Sequence, residues 1–442
     1  MNHSPKKRTA LPRLVHGGRR DFLRVGGLAA LSLAIPGLGC GGDESAPGID
    51  PIDPIDPFSV VALPDTQFYA DELPQIYTSQ TQWIVNNQTQ ENIVFVTHLG
   101  DVVDNGPSLR QWENARASMK LLEDAGVPYG VSLGNHDVQY SDKEYQYPLM
   151  VDHSCSPYQD FDCKAEHFLE NFGPARYEHE SWFGGSSPSG MSSYQEIFIT
   201  PELTLLFLHI ALDFPAAELR WAQQVVNQHP EAAIHVSTHR YLYDYRVVKG
   251  LPFPLSSLLG GRSHELVYMI DAKLYYEDSI TAAKFFATFV APNTNIFMVQ
   301  CGHVDGEYRQ VSENAAGLPV HELMADFQTF GHQGEGWMRL LRFDPDNKQV
   351  RVRTYSPHLK AYRENGAGLD ASLKAIEIGY QLFAERYGAL LDLEVLRAKI
   401  DYWSDESAGR QEYADLLYGE GTRDSDFTLD LDLSAYPQSR AL

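Results

Sequence analysis

Five short polar stretches, each closing an apolar run, carry side chains that bind metals or move protons. They are Asp65-Thr66-Gln67, Gly100-Asp101-Val102-Val103-Asp104, Gly134-Asn135-His136-Asp137, Thr238-His239-Arg240 and Gly302-His303-Val304-Asp305. Carboxylates, imidazoles and side-chain amides are the donors that hold divalent cations, and the first two also serve as general acids and bases. Any one stretch is a weak signal, because an Asn-His pair or a lone His after a strand is commonly a polar rim residue. Their recurrence at the ends of apolar runs is the stronger signal. It points to a cation site assembled from several strand ends.

The elements that must position these residues follow one rhythm: apolar strand, polar tip, helix, apolar strand. Residues 58–63, 93–99 and the shorter 128–133 read as buried strands, with helices over about 72–89 and from Ser108 to Gly126. In the second helix Leu109, Trp112, Met119 and Leu122 form one stripe. Residues 203–210, 233–237 and 295–300 read as further strands, with a helix around Leu219, Ala222 and Val226. Residues 337–343 and 349–355 form a hairpin across Asp344-Pro345-Asp346-Asn347. The stretch 369–419 reads as helical, with Leu373, Ile376, Tyr380, Phe383 and Tyr387 on one face, and 427–433 alternates as a last strand. Such β-α-β order gathers functional side chains beyond the carboxyl ends of the strands.

Taken in chain order, the five stretches resemble the motifs of the calcineurin-like metallophosphoesterases, over roughly residues 58–356. The resemblance implies a four-layer α-β-β-α sandwich of two mixed sheets, here with a C-terminal helical insertion. It implies two divalent cations along one edge. Asp65, Gln67, Asp101 and Asp305 would surround the first; Asp101, Asn135, His239 and His303 would surround the second, with Asp101 between them. A hydroxide shared by the cations would attack phosphorus in line. His136 would meet the leaving group or the phosphoryl oxygens, and Asp137 would orient His136. The chain departs from the family's usual pattern at Gln67 and Asp305, where most members carry histidine. The first site is thus left with oxygen donors only, which suit Mn²⁺ or Mg²⁺ better than Zn²⁺; Fe, Mn or Zn suits the second. The alternative for Asp305 is that it points away and water takes its place. Arg240 is either a phosphate contact or a surface ion-pair partner, Asp104 a support rather than a ligand, and His98 structural. Trp182-Phe183-Gly184-Gly185, Tyr243 and His332 are candidate pocket residues.

The rest of the chain narrows the function class. A net charge of -24 over 442 residues argues against nucleic acid as a partner, and 43% hydrophobic residues are ample for a core. Residues 1–39 are basic, and Arg19-Arg20-Asp21-Phe22-Leu23 followed by a modest apolar run resembles a twin-arginine export signal. Cys40 stands where a lipoprotein signal is cleaved and the cysteine acylated. The expectation is therefore export to the periplasm or cell envelope on a lipid anchor, with residues 40–57, which repeat Ile-Asp-Pro, as a tether. The core is assigned to 58–357, the helical insertion to 358–423 and a strand and tail to 424–442. Cys155 and Cys163 suit a local disulfide in an oxidising compartment, and Cys301 a small core residue. The expected reaction is hydrolysis of a phosphorylated substrate. Metal or phosphate binding without turnover, and cyclic-nucleotide hydrolysis, are the alternatives.

Overall fold

The computed structural model describes residues 55–138, 165–242, 278–328, 333–363, 393–405, 408–410, 412 and 424–436. The chain runs through β1 (Phe58–Leu63), α1 (Gln67–Asp71), α2 (Pro74–Asn87), β2 (Ile93–His98), α3 (Leu109–Asp124) and β3 (Tyr129–Val131). Next come α4 (Glu166–Phe172), β4 (Phe183–Ser186), β5 (Ser193–Thr200), β6 (Leu203–His209), α5 (Ala216–Gln228) and β7 (Ala233–Ser237). After α6 (Ala282–Phe285) follow β8 (Ile296–Cys301), β9 (Gly306–Glu313), β10 (Pro319–Asp326), β11 (Met338–Asp344), β12 (Gln349–Ser356) and β13 (Ala361–Tyr362). α7 (Leu393–Asp405) and β14 (Asp426–Asp430) complete the described elements.

Among these residues the strands form two mixed sheets. One has the order β13-β12-β11-β1-β2-β3, with β14 also on β12; the other is β4-β5-β6-β7-β8-β10-β9. β1, β2 and β3 are parallel, as are β6, β7, β8 and β10. Alternation along each strand explains the layers. In β1, Val61 and Leu63 pack with residues of α1 to α4, whereas Phe58, Val60 and Ala62 face the other sheet. In β6, Leu205 and Phe207 face the first sheet, and Leu206 and Leu208 face α5 and α6. Central strands covered on both faces are apolar almost throughout, which is why β1 and β8 read as apolar runs interrupted only by Ser59 and Gln300. Phe95 stacks on Phe207 across the sheets at 3.8 Å, a contact worth about 0.5–1.5 kcal/mol beyond its buried area. The architecture is the expected α-β-β-α sandwich.

Local differences have physical causes. The helix expected over 72–89 is α2, which Pro74 opens after a non-helical Leu73 at φ −127°, and the short α1 precedes it. Ser108 occupies the N-cap of α3 without a side-chain capping bond. Within the expected helical insertion α7 is described, while Leu373 to Tyr387 lie outside the described residues, as do Cys40, Cys155, Cys163, Tyr243 and His332. Cys301 is a free, fully buried core residue.

Candidate metal centre

The parallel strands β1, β2, β3, β7 and β8 end at one edge, and the candidate residues follow within two to six positions of those ends. Three of them hold left-handed backbone that side chains rarely adopt: Asp65 at φ 34°, Asp101 at 49° and His303 at 71°. Such strain costs about 1–3 kcal/mol per residue and persists where the surroundings over-determine it. Here it turns the carboxylates and imidazole back over the sheet ends. Two glycines make the close approach possible. A Cβ at Gly134 would lie 2.1 Å from the Asp101 backbone nitrogen, and one at Gly302 would lie 2.1 Å from Asp65 Oδ2.

Asp101, His239 and His303 bring one ligand atom each to within 4.8 Å of one another. His239 fixes the arrangement. Its Nδ1 lies 3.0 Å from the Leu99 carbonyl, which can only accept, so Nδ1 carries the proton and Nε2 a lone pair. That Nε2 faces Asn135 Oδ1 at 2.9 Å, His303 Nδ1 at 3.2 Å and Asp101 Oδ2 at 3.3 Å. His303 Nδ1 is also 2.9 Å from Asn135 Oδ1. His239 and Asp101 are buried. Burial alone would raise the Asp101 pKa, but His239 and His136 outweigh it and hold the carboxylate well below its usual range. His303 is pushed well below the ordinary histidine range by burial, then by His239. Four atoms able to ligate a cation thus converge, and in the tautomer that turns the His303 Nδ1 lone pair inward a cation would stabilise them.

Asp65, Gln67 and Asp305 lie at the adjoining strand tips. Asp65 Oδ1 accepts the His303 backbone N–H at 3.1 Å. Asp65 Oδ2 and Gln67 Oε1 are buried with no hydrogen-bond partner, although both residues are at most 2% exposed. Orphaned buried oxygens are costly unless something charged or proton-donating meets them. These donors fit a hard divalent cation. Asp65 is pushed well above the carboxylate range by burial, then by Asp326 and Asp101, with a smaller contribution from the partly exposed Asp305.

The expected orientation of His136 by Asp137 is not what the structure shows. His136 donates Nδ1–H to the Asp104 carbonyl at 2.7 Å, and Asp104 Oδ1 is 3.4 Å away. Asp137 is fully buried and instead accepts from Gly134 N at 2.8 Å and Val103 N at 3.1 Å, tying two loops together. Consecutive side chains in this loop diverge, so adjacency in sequence does not become contact. Burial disfavours charge on His136, but Asp101 and Asp104 outweigh it and raise its pKa to about 10. Its backbone N–H donates to Asp101 Oδ1 at 2.9 Å.

His98 has a definite structural role below the site. Gly100 N–H donates to His98 Nδ1 at 3.2 Å, so Nε2 carries the proton and donates to Thr66 Oγ1 at 2.9 Å; Thr66 donates on to the Val102 carbonyl. One neutral imidazole thus links the Asp65 and Asp101 loops. Arg240 is neither a surface residue nor exposed to a phosphate: it is fully buried, with Nε 2.9 Å from Asp213 Oδ1 and a second bond to Oδ2. Trp182 packs on Tyr129 and Tyr177 in the core.

Residues 58–268, which carry all these tips except His303 and Asp305, match the family model described as calcineurin-like phosphoesterase. This stretch is a calcineurin-like phosphoesterase domain. The uncharacterized protein YvnB of Bacillus subtilis (strain 168) is 32% identical over 324 residues, which is 72% of this chain and 21% of that protein. The chain therefore spans about a fifth of that relative's length. Among solved structures, the chain is similar to a dimetal phosphatase from Danio rerio, at 12% identity and TM-score 0.37, covering 69% of this chain and 97% of that one. It is also similar to purple acid phosphatase PPD1 from yellow lupin (Lupinus luteus) seeds, at 12% identity and TM-score 0.40, covering 70% of this chain and 53% of that one.

Proposed function

We propose that this chain is a metal-dependent hydrolase of phosphate esters. The observation that carries the reading is the convergence of His239 Nε2, His303 Nδ1, Asn135 Oδ1 and Asp101 Oδ2, within 3.3 Å of His239 Nε2. With Asp101 shared, Asp65, Gln67 and Asp305 would hold a first cation, and Asn135, His239 and His303 a second. Two bound cations supply charge neutralisation for an anionic ester and activation of water. The protein's own residues do the rest. His239 is held in the ligating tautomer by the Leu99 carbonyl. His136 is held through Nδ1 by Asp104, and its side chain is 20% exposed, so its other nitrogen is available at the rim of the site. In that position it is suited to donate a proton to the departing alcohol. Ligation by oxygen alone favours Mn²⁺ or Mg²⁺ at the first position.

An assay of phosphate mono- and diesters with added Mn²⁺, comparing wild type with His136→Ala and Asp101→Asn, tests this. Turnover in the wild type that falls by at least ~10²-fold in both variants supports the reading. Metal binding with no rate above that of the variants would make the protein a binder instead. Export rests on Arg19-Arg20 and lipidation on Cys40; normal export of an Arg19→Lys, Arg20→Lys double variant would contradict the first, and Cys40→Ala protein that stays membrane-bound the second.

A further inference from the structure

A sixth strand end reaches this edge. β10 runs parallel to β8, with Met324 beside Cys301, and antiparallel to β9, with Asp326 opposite Gly306. The strand therefore closes with Asp326 between the His303 loop and the residue that follows Asp305. Asp326 is fully buried. Its carboxylate is held in place by Gln328, whose backbone N–H donates to Oδ1 and whose Nε2 donates to Oδ2, both at 2.9 Å. Each oxygen keeps a lone pair that these bonds do not use.

We propose that Asp326 belongs to the first cation's site, as a buried carboxylate that sets its charge together with Asp65, Asp101 and Asp305. The inference rests on the hydrolase reading above and deepens it. Two independent observations support it. Asp65 Oδ2 and Gln67 Oε1 are buried and unpartnered at the same place, so the site contains acceptors that no donor satisfies. The Asp326–Gly306 pairing sets Asp326 beside the same loop, whose His303 N–H meets Asp65 Oδ1 at 3.1 Å. Buried carboxylates gathered in this way must take up protons or a cation. A centre with this many acidic oxygens selects a hard ion such as Mn²⁺ or Mg²⁺ over Zn²⁺. Asp326 is a positioning and charge-setting residue; nothing places it against substrate.

Metal-free full-length protein and an Asp326→Asn variant are titrated with MnCl₂ by calorimetry, with thermal melting in parallel. Wild type is expected to bind two ions. The variant should keep one and bind the other at least ~10-fold more weakly. Without metal it should melt at or above wild type, because a buried repulsion is gone, yet gain less on Mn²⁺ addition. A merely structural aspartate would instead lower the metal-free melt and leave the Mn²⁺ gain unchanged, which overturns the proposal. Two ions at unchanged affinity in the variant overturn it as well, and leave the hydrolase reading standing. Wild-type protein that binds no ion overturns both. If the Asn variant does not fold, Gln328→Ala, which frees Asp326 Oδ2 without removing charge, should weaken one of two ions; unchanged affinity there overturns the proposal.

Discussion

Gly302→Ala is the most exacting single-atom-group test of the site. The added Cβ would lie 2.1 Å from Asp65 Oδ2 and 3.0 Å from its Cγ, so reaching the 3.4 Å of ordinary contact requires a shift of about 1.3 Å. Asp65 has little room to make it. It is 2% exposed, its backbone is already at φ 34°, and its Oδ1 is held by the His303 N–H at 3.1 Å. Moving either partner displaces Asp65, the proposed donor to the first cation, or the His303 loop proposed to serve the second. A misplacement of about 1 Å in a catalytic constellation lowers the rate by about 10²-fold. The variant should therefore lose roughly that factor in kcat/KM towards phosphate esters with Mn²⁺ present. Its Mn²⁺ affinity should fall in parallel, while its far-ultraviolet circular dichroism stays that of wild type. Wild-type turnover and wild-type metal content in a folded Gly302→Ala protein would refute the claim that Asp65 must sit where it does.

Other expectations follow from the same geometry. His98→Ala leaves the buried Gly100 N–H without its acceptor and takes a donor from Thr66 Oγ1, which keeps the Val102 carbonyl; at ~1–3 kcal/mol for an orphaned group it should lower the melting temperature and loosen metal binding, with partial rescue by Gln, and an unchanged melt would count against the relay. Asp213→Ala breaks a fully buried ion pair with Arg240 and should destabilise by ~3–5 kcal/mol in denaturant unfolding; a loss under ~1 kcal/mol would mean the pair is not structural. His98, His209 and His235 are lowered to about 3 by burial. Between pH 3 and 6.5 the unfolded chain thus binds protons that the folded chain does not, so their stabilising effect is present above about pH 6.5 and lost as pH falls towards 3. The melting temperature should drop steeply from pH 7 to 5, less so in His209→Gln; a flat profile would contradict this.

The sequence shows its five tips clearly because each follows an apolar strand buried on both faces. Asp326 is harder to see. β10 carries His321 and Glu322 inside the fold, the first bonded to the Asp430 carbonyl and the second meeting Tyr241, Gln310 and Ser312. Those satisfied polar residues break the apolar run that would have announced a strand. β9 is an edge strand, and its Arg309-Gln310-Val311-Ser312 likewise offers no apolar run. The His136–Asp137 pairing fails differently, because periodicity locates a loop but not the direction of each side chain in it. Arg240 beside His239 looks like a rim residue until Asp213, 27 positions earlier, is seen to neutralise it inside the core.

The central claim is that the converging donors at the sheet edge exist to hold cations used in phosphate-ester hydrolysis. Stripping the purified protein with a chelator, assaying it on a panel of phosphate mono- and diesters, and restoring Mn²⁺ stepwise tests that directly. The account predicts no turnover in the stripped protein and recovery that saturates at two ions per chain. Turnover that survives complete removal of metal, or two bound ions with no ester cleaved, would contradict it.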